Sequence, residues 1–294
     1  MKEGKRIEAS ENVKGQSVYT GDENNEIARI DRQNRYLNKI VKPYLDEIFS
    51  QFDEPSILDV GCSDGRNILQ RLNGRNYYSL LGIDRNQSKI EIANGMYGSE
   101  KNSFLCLDIN SDNLNALLLQ YLNQRSMAGF DIIHISSVLL HLGNPMYILE
   151  ILHTFLSENG RIFIQDEDDG LNMIYPHDKR FYDCMYVWEH SLEAGDRKMG
   201  RKVPYYLSSC GYSDINILST NISSLDFCGE MKDSLWDMYL NSDLWSANDV
   251  SFYDIPDAYE RYIKYKKDHS RFREAYTEGR YFIMLGFVFI TAKK

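Results

Sequence analysis

Short apolar runs alternate with longer stretches through the middle of the chain. Runs rich in aliphatic and β-branched residues, each bounded by polar turns, predict strands at residues 56–60, 78–83, 103–107, 130–136 and 161–165. The intervening segments are long enough to form helices. This alternation is typical of a parallel sheet with right-handed crossovers, in which ligands bind at the carboxyl ends of the strands. We therefore expect the functional site at that edge of the sheet.

The regions on either side of these strands have different patterns. Apolar residues recur at helical spacing from Asn24 to Gln51 and predict one or two amphipathic helices, with a break or kink at Pro43. Residues 1–23 mix charged residues, Gly and Ser without periodicity, which predicts a mobile N-terminal arm. Residues 222–278 are rich in aromatic side chains and in helical patterns, and we expect them to form a lid or side wall over the strand ends.

The segment Ser-Ile-Leu-Asp-Val-Gly-Cys-Ser-Asp-Gly-Arg-Asn, residues 56–67, predicts a buried strand that ends in a carboxylate and a glycine turn. Gly61 and Gly65 would let the backbone approach a ligand closely where a helix begins. Asp59 would repel a pyrophosphate but would favour a ligand that carries an ammonium and a sulfonium. The segment therefore predicts a site for a nucleotide-type cofactor.

Polar residues also follow the next three predicted strands. Asp84 lies twenty-five positions after Asp59, about the offset at which an acidic residue binds ribose hydroxyls, although it could instead cap a helix. Asp108 and Ile109 could recognise and cover an adenine, or Asp108 could begin the next helix. Ser136 ends the fourth strand. His134, inside that strand, is most simply a packed or hydrogen-bonded core histidine.

Residues 57–165 resemble the core of class I S-adenosylmethionine-dependent methyltransferases. The resemblance implies an α/β, Rossmann-like sheet of seven mostly parallel strands with a reversed last strand, and S-adenosyl-L-methionine as the cofactor. It places the glycine loop under the methionine part, Asp84 on the ribose and Asp108 near the adenine. Ser63 stands where the common pattern has glycine, which adds a hydroxyl and restricts φ.

The resemblance extends to both ends of the chain. Residues 29–33 are similar to an N-terminal helix in which an arginine, here Arg29, can meet the cofactor carboxylate. We also include Tyr19, in the arm, and Arg85 among the cofactor-binding candidates. Residues 200–211 resemble the helix before a sixth strand at 212–218, and residues 281–291 resemble the last strand. The methyltransferase core is thus expected to comprise residues 24–221 and 279–294.

Composition narrows the class of partner. The formal net charge of −10 opposes tight binding to nucleic acid, which normally requires a basic surface. Five scattered cysteines fit neither a zinc site nor a disulfide framework, and we expect a reducing, cytoplasmic setting. The N-terminus has no signal-type apolar region, and no apolar run approaches membrane-spanning length. These features predict a soluble protein with no membrane partner.

Two residues are candidates for a catalytic base. His141 follows the fourth strand and can accept a proton near neutral pH, although it could simply pack at a helix start. Glu167 belongs to the acidic run 166–169, which could be a solvated loop, a clamp for a cationic substrate or the source of a base. No metal is expected, because the run lacks a second set of ligands.

The predicted activity is methyl transfer to an oxygen, nitrogen or carbon nucleophile of a small organic molecule. The alternatives are a non-catalytic sensor or scaffold that binds S-adenosylmethionine, and a methyltransferase that acts on a protein or RNA. A nicotinamide dehydrogenase is disfavoured by Asp59 and by the missing G-x-G-x-x-G motif.

Overall fold

The computed structural model describes residues 23–189, 195–225, 235, 236, 240 and 257–294. Their strands form one eight-stranded sheet. The strands are β1 (Ser56–Val60), β2 (Ser79–Asp84), β3 (Asn102–Cys106), β4 (Phe130–Ser136), β5 (Leu156–Glu167), β6 (Met173–Tyr175), β7 (Ser213–Ser223) and β8 (Phe282–Lys293). Tyr19 and most of the predicted insertion lie outside the described residues.

The strand order puts β1 at the centre of the parallel part of the sheet. Strands β3, β2, β1, β4 and β5 lie side by side in that order and are parallel. Strand β8 runs antiparallel to β5, and β7 pairs with the opposite edge of β8. The chain therefore reverses its direction of winding between β1 and β4, which is where ligands bind in open α/β sheets.

The described helices flank this sheet. They are α1 (Glu23–Phe49), α2 (Arg66–Leu72), α3 (Gln87–Tyr97), α4 (Leu114–Gln124), α5 (Pro145–Phe155), α6 (Lys179–Glu189), α7 (Val203–Ser209) and α8 (Ala258–Thr277). The N-terminal pattern forms the single helix α1, and the expected break at Pro43 is wrong because the helix continues through it. Among the described residues, no helix is long and apolar enough to cross a bilayer.

Two hydrophobic clusters cover the two faces of the sheet. Ile57 of β1 belongs to the cluster that includes residues of α1, α2, α3, α6 and α8, which we call the α1 face. Leu58 and Val60 belong to the cluster that includes residues of α4, α5 and α7, the α4 face. Burial on both faces explains why the central strands are almost continuous apolar runs.

The Rossmann-like sheet with a reversed last strand is confirmed, but the expected number of seven strands is wrong. The additional strand β6 has three residues and pairs with Phe282, Ile283 and Met284 of β8. Only Ile174 of β6 is buried, while Met173 and Tyr175 are exposed. A run of three residues with one buried side chain is too short to stand out as a strand in a sequence.

The described part of the predicted insertion adds to the core of the α1 face. Phe272 of α8 is fully buried, and its ring centroid lies 5.0 Å from that of Trp236 in an edge-to-face arrangement. Strand β7 continues to Ser223, which lies two residues beyond position 221, after which the sequence places the start of the insertion. The domain boundaries and the lid function of residues 222–278 stay predictions.

Replacing Phe272 with Ala tests this packing. We expect the free energy of unfolding to fall by about 3–5 kcal/mol, because the change removes a fully buried ring and leaves a cavity. Tyr259→Ala, at an exposed position of the same helix, should cost about 0.5 kcal/mol or less. Urea unfolding measures both variants, and equal effects would contradict the placement of α8 in the core.

Candidate active site

The glycine loop joins β1 to α2 in a tight turn. Gly61 and Gly65 have φ values of 72° and 76°, in the left-handed region that glycine favours. A Cβ atom on Gly65 would lie 2.8 Å from the ring of Phe104, and one on Gly61 would overlap the side chain of Val138. The loop therefore requires glycine at both positions, both for its backbone conformation and for its packing.

Ser63, the departure from the common pattern, also lies in the left-handed region, with a φ of 51°. Its N–H donates to Oδ2 of Asp84 at 2.9 Å. Oδ1 of Asp84 accepts from the N–H of Asn86 at 2.8 Å. Asp84 thus connects the glycine loop to the end of β2. The alternative of a helix cap is wrong, because Asn86 is the residue that caps α3, accepting from the N–H of Lys89.

Asp59 lies beneath the loop in the sheet rather than in the loop itself. It is 3% exposed, and its Oδ1 lies 2.6 Å from Nδ1 of His134, the residue beside it in the β1–β4 register. The expectation of a hydrogen-bonded core histidine at position 134 is confirmed. A direct contact between Asp59 and a ligand stays a prediction.

A buried arginine continues this chain of contacts. Nη1 of Arg71, in α2, lies 2.6 Å from Nε2 of His134, and the other terminal nitrogen donates to the side-chain oxygen of Gln165 in β5. Nε of Arg71 donates to Oδ1 of Asn38 in α1 at 2.8 Å. Asp59, His134, Arg71, Gln165 and Asn38, which we call the Arg71 network, join three strands and two helices.

The donors and acceptors of the Arg71 network fix the state of His134. A guanidinium only donates, so Nε2 of His134 must accept from Arg71 and Nδ1 must carry the proton that Asp59 accepts. His134 is therefore a neutral imidazole between a carboxylate and a guanidinium. Burial lowers the pKa of His134, and Arg71 lowers it further, although Asp59 acts in the opposite direction. Burial also lowers the pKa of Arg71 to about 10.

The carboxyl ends of β4 and β5 meet next to this network. Ser137, directly after β4, donates its hydroxyl to Oε1 of Glu167 at 2.9 Å. Asp168 forms an ion pair with Arg201, and Asp169 forms one with Arg197. The solvated-loop interpretation of residues 166–169 is therefore wrong for its first three residues, which are buried, and Asp169 is engaged by an arginine.

The other candidates lie around the same edge of the sheet. His141 is exposed at the end of a short 3-10 turn, Leu139–His141, that follows β4. Asp108 is exposed, and its Oδ1 accepts from the N–H of Asn110 at 2.9 Å. Helix α4 begins only at Leu114, so Asp108 does not begin that helix. Ile109 packs into the α4-face cluster.

The remaining cofactor-binding candidates lie at the ends of two strands and in α1. Ser136 is half-buried at the end of β4, and Arg85 is exposed directly after β2. Arg29 belongs to α1. Within the described ranges, no group of three or more His, Cys, Asp and Glu side chains could hold a metal ion.

The residues at the cofactor end fit S-adenosylmethionine. Each oxygen of Asp84 accepts one described hydrogen bond and retains a lone pair, so the carboxylate can also accept from ribose hydroxyls. Asp84 places a carboxylate beside the glycine loop, which suits a ligand that carries positive charge.

The family model of the methyltransferase domain matches residues 30–208, which is more than half of the chain. The chain belongs to this methyltransferase family. It is a class I S-adenosylmethionine-dependent methyltransferase, an enzyme whose cofactor is S-adenosylmethionine. No curated protein matches the sequence.

The chain is similar to solved methyltransferase structures at low sequence identity. The plantazolicin methyltransferase BamL, solved with a triazolic desmethylPZN analog and SAH, is 18% identical and has a TM-score of 0.50. The match covers 91% of this chain and 89% of BamL. A methyltransferase structure from Bacillus halodurans is 13% identical over 85% of this chain and 98% of its own, with a TM-score of 0.48.

Replacing Asp84 with Ala tests its role in the cofactor site. We expect the affinity for S-adenosylmethionine and S-adenosylhomocysteine to fall at least about tenfold, which corresponds to about 1.4 kcal/mol, because the variant loses a ribose acceptor and frees Ser63. Calorimetry measures both ligands. Asp112→Ala, at an exposed position, is the control and should bind normally. Unchanged affinity in Asp84→Ala would refute the ribose role.

The neutral state of His134 predicts a pH dependence of stability. Because its pKa is lowered in the folded protein, the unfolded chain binds the proton more readily, and stability is lost as the pH falls below the ordinary value of 6.5. His134→Gln should remove this part of the dependence of the free energy of unfolding on pH. Urea unfolding at several pH values measures it, and His153→Gln, at a less buried histidine whose pKa is also lowered, should retain most of it. Identical slopes in wild type and His134→Gln would contradict the assignment.

Proposed function

We propose that this methyltransferase transfers a methyl group from S-adenosylmethionine to an oxygen, nitrogen or carbon nucleophile of a small organic molecule. The observation that carries the proposal is the arrangement of the strand ends. The pairing of β2, β1, β4 and β5 brings the Asp84-linked glycine loop and the Ser137–Glu167 pair to one edge of the sheet. This arrangement supports a cofactor site with a proton acceptor beside it.

The cofactor residues keep the roles that the family resemblance implies. Asp84 binds the ribose, Asp108 and Ile109 face the adenine, and the backbone of residues 61–65 supports the methionine part. Arg29 is the candidate partner of the cofactor carboxylate, and Tyr19, Arg85 and Ser136 are further candidates for cofactor binding. The bound cofactor supplies a methyl group that its sulfonium already activates.

The chain must then position the acceptor, exclude water and remove a proton where the acceptor carries one. Alignment of the two reactants can supply much of the rate acceleration without a nucleophilic side chain. The imidazole of His141 is the first candidate for the proton acceptor, because it lies next to the end of β4 and histidine is the usual general base in enzymes. A carboxylate oxygen of Glu167 is the second.

The charge of the chain favours a small acceptor over RNA. The net charge of −10 does not suit RNA, which proteins bind through basic surfaces. A protein acceptor and a non-catalytic sensor are the alternatives. We also propose a cytoplasmic location, which the free thiols of Cys62, Cys106, Cys184 and Cys210 support.

The transfer of a labelled methyl group separates these functions. The enzyme is incubated with methyl-labelled S-adenosylmethionine and a cell extract that has been divided into small-molecule, protein and RNA fractions. We expect label in the small-molecule fraction. Label in the protein or RNA fraction alone would overturn the proposal, and binding of S-adenosylmethionine without transfer to any fraction would indicate a sensor.

Replacing His141 with Ala tests the proton acceptor. We expect kcat to fall about 10²-fold or more while the affinity for S-adenosylhomocysteine stays within about threefold, because general base catalysis acts on the chemical step. Glu167→Gln should have the smaller effect if His141 is the base. The control is His153→Gln, which lies before the amino end of β5 on the opposite edge of the sheet. Retained turnover in His141→Ala at all pH values would remove this residue from the role.

A further inference from the structure

Two adjacent carboxyl groups at the end of β5 each have one oxygen without a hydrogen-bond donor. Asp166 is fully buried and Glu167 is 5% exposed. Oδ1 of Asp166 accepts from the N–H of Glu167 at 3.1 Å, and Oε1 of Glu167 accepts from Ser137. Oδ2 of Asp166 and Oε2 of Glu167 receive no hydrogen bond from any described residue.

The arginines near this pair form their ion pairs with other carboxylates. Arg197 and Arg201 engage Asp169 and Asp168, the two carboxylates that follow. Strand β8 contributes the apolar neighbours Val288 and Phe287, and Gly200 contributes a backbone N–H that donates to the carbonyl of Glu167. No described cation forms an ion pair with Asp166 or Glu167.

Two ionised carboxylates in such surroundings would repel each other and would each lose hydration. The two groups are close enough to share a hydrogen bond, and one proton between them would satisfy both orphaned oxygens at once. The burial of Asp166, followed by the neighbouring charge of Glu167, raises the pKa of Asp166 well above its ordinary value, although the charge of Arg197 acts in the opposite direction. Ser137 already donates to Oε1 of Glu167, so a proton from Asp166 would give Glu167 a donor at each oxygen.

We propose that Asp166 is a neutral carboxylic acid that donates its proton to Oε2 of Glu167 and so fixes the Glu167 carboxylate at the acceptor end of the sheet. Glu167 is then held by two hydroxyl donors, one from Ser137 and one from Asp166. The pair carries a single negative charge. Asp166 acts as a positioning residue for Glu167, and this role in turnover rests on the proposed function above.

Substitutions that keep or remove the donor test the role in turnover. Asp166→Asn replaces the acid O–H with an amide N–H and should restore most of the kcat that Asp166→Ala loses, which we expect to be at least about tenfold. Both variants should bind S-adenosylhomocysteine as the wild type does. An Asp166→Asn enzyme as impaired as Asp166→Ala would overturn the positioning role, because an ionised carboxylate would then be the active form.

Infrared spectroscopy tests the proton independently of turnover. With carbon-13 in the aspartate carboxyl groups, the wild type at neutral pH should show the isotope-shifted band of a protonated carboxylic acid, and Asp166→Asn should lack it. Asp168→Asn is the matched control and should keep the band, since Asp168 is ionised beside Arg201. Absence of the band from the wild type would overturn the proposal. If no methyl transfer is found with any acceptor, the proposed function fails but this result still decides the protonation state.

The pH dependence of stability provides a second readout. Because the pKa of Asp166 is raised on folding, the wild type loses stability as the pH rises from the ordinary value of 3.8 through the folded value. Asp166→Asn cannot ionise and should escape this loss. Its melting temperature relative to the wild type should therefore rise between pH 4 and pH 7, and a difference that does not change with pH would contradict the neutral acid.

Discussion

The buried charge of Arg71 is the constraint on which the cofactor end of the molecule depends. Arg71 is 2% exposed, and its guanidinium makes hydrogen bonds to groups from α1, β4 and β5. A buried cation is tolerated only when it is paired and hydrogen-bonded. The compensating carboxylate, Asp59, is reached through the neutral ring of His134, so the ion pair is relayed rather than direct. Removal of either charge would leave the other buried and uncompensated, which is strongly destabilising.

The Arg71 network positions the glycine loop from inside the sheet. Asp59 lies two residues before Gly61, and Arg71 lies in the helix that follows Gly65, so the Arg71 network holds both ends of the loop. Asp84 holds the middle of the loop through the N–H of Ser63. Buried charge is compensated differently at the acceptor end of the sheet. Asp168 and Asp169 form ion pairs with arginines, and Asp166 and Glu167, in our proposal, share a proton.

The sequence predicted the sheet well, because each central strand is an apolar run whose ends coincide with polar residues. It also located Asp59, Asp84 and Glu167 at the strand ends, since the turn after a parallel strand carries a recognisable change of composition. It missed Arg71 and Gln165, which are single polar residues in a helix and a strand. Arg71 contacts both Gln165 and His134, and these contacts depend on the pairing of β1, β4 and β5 and on the rotation of α2, neither of which is encoded in local spacing.

The solvated-loop alternative for the acidic run 166–169 is wrong for a related reason. Four consecutive acidic residues usually indicate a solvated loop, but here Arg197 and Arg201, about thirty residues further along the chain, neutralise two of them. The pairing depends on how the segment before α7 returns to the end of β5, where Gly200 donates to the carbonyl of Glu167. Such long-range compensation leaves no local signature in a single sequence.

A crystal structure of the enzyme with S-adenosylhomocysteine tests the central claim of this account most directly. We predict that the ligand lies across the carboxyl ends of β1 and β2, with its ribose hydroxyls on Asp84 and its amino-acid part over residues 61–65. The Arg71 network should be unchanged beneath it. A ligand bound elsewhere on the sheet, or one whose ribose does not reach Asp84, would contradict the account.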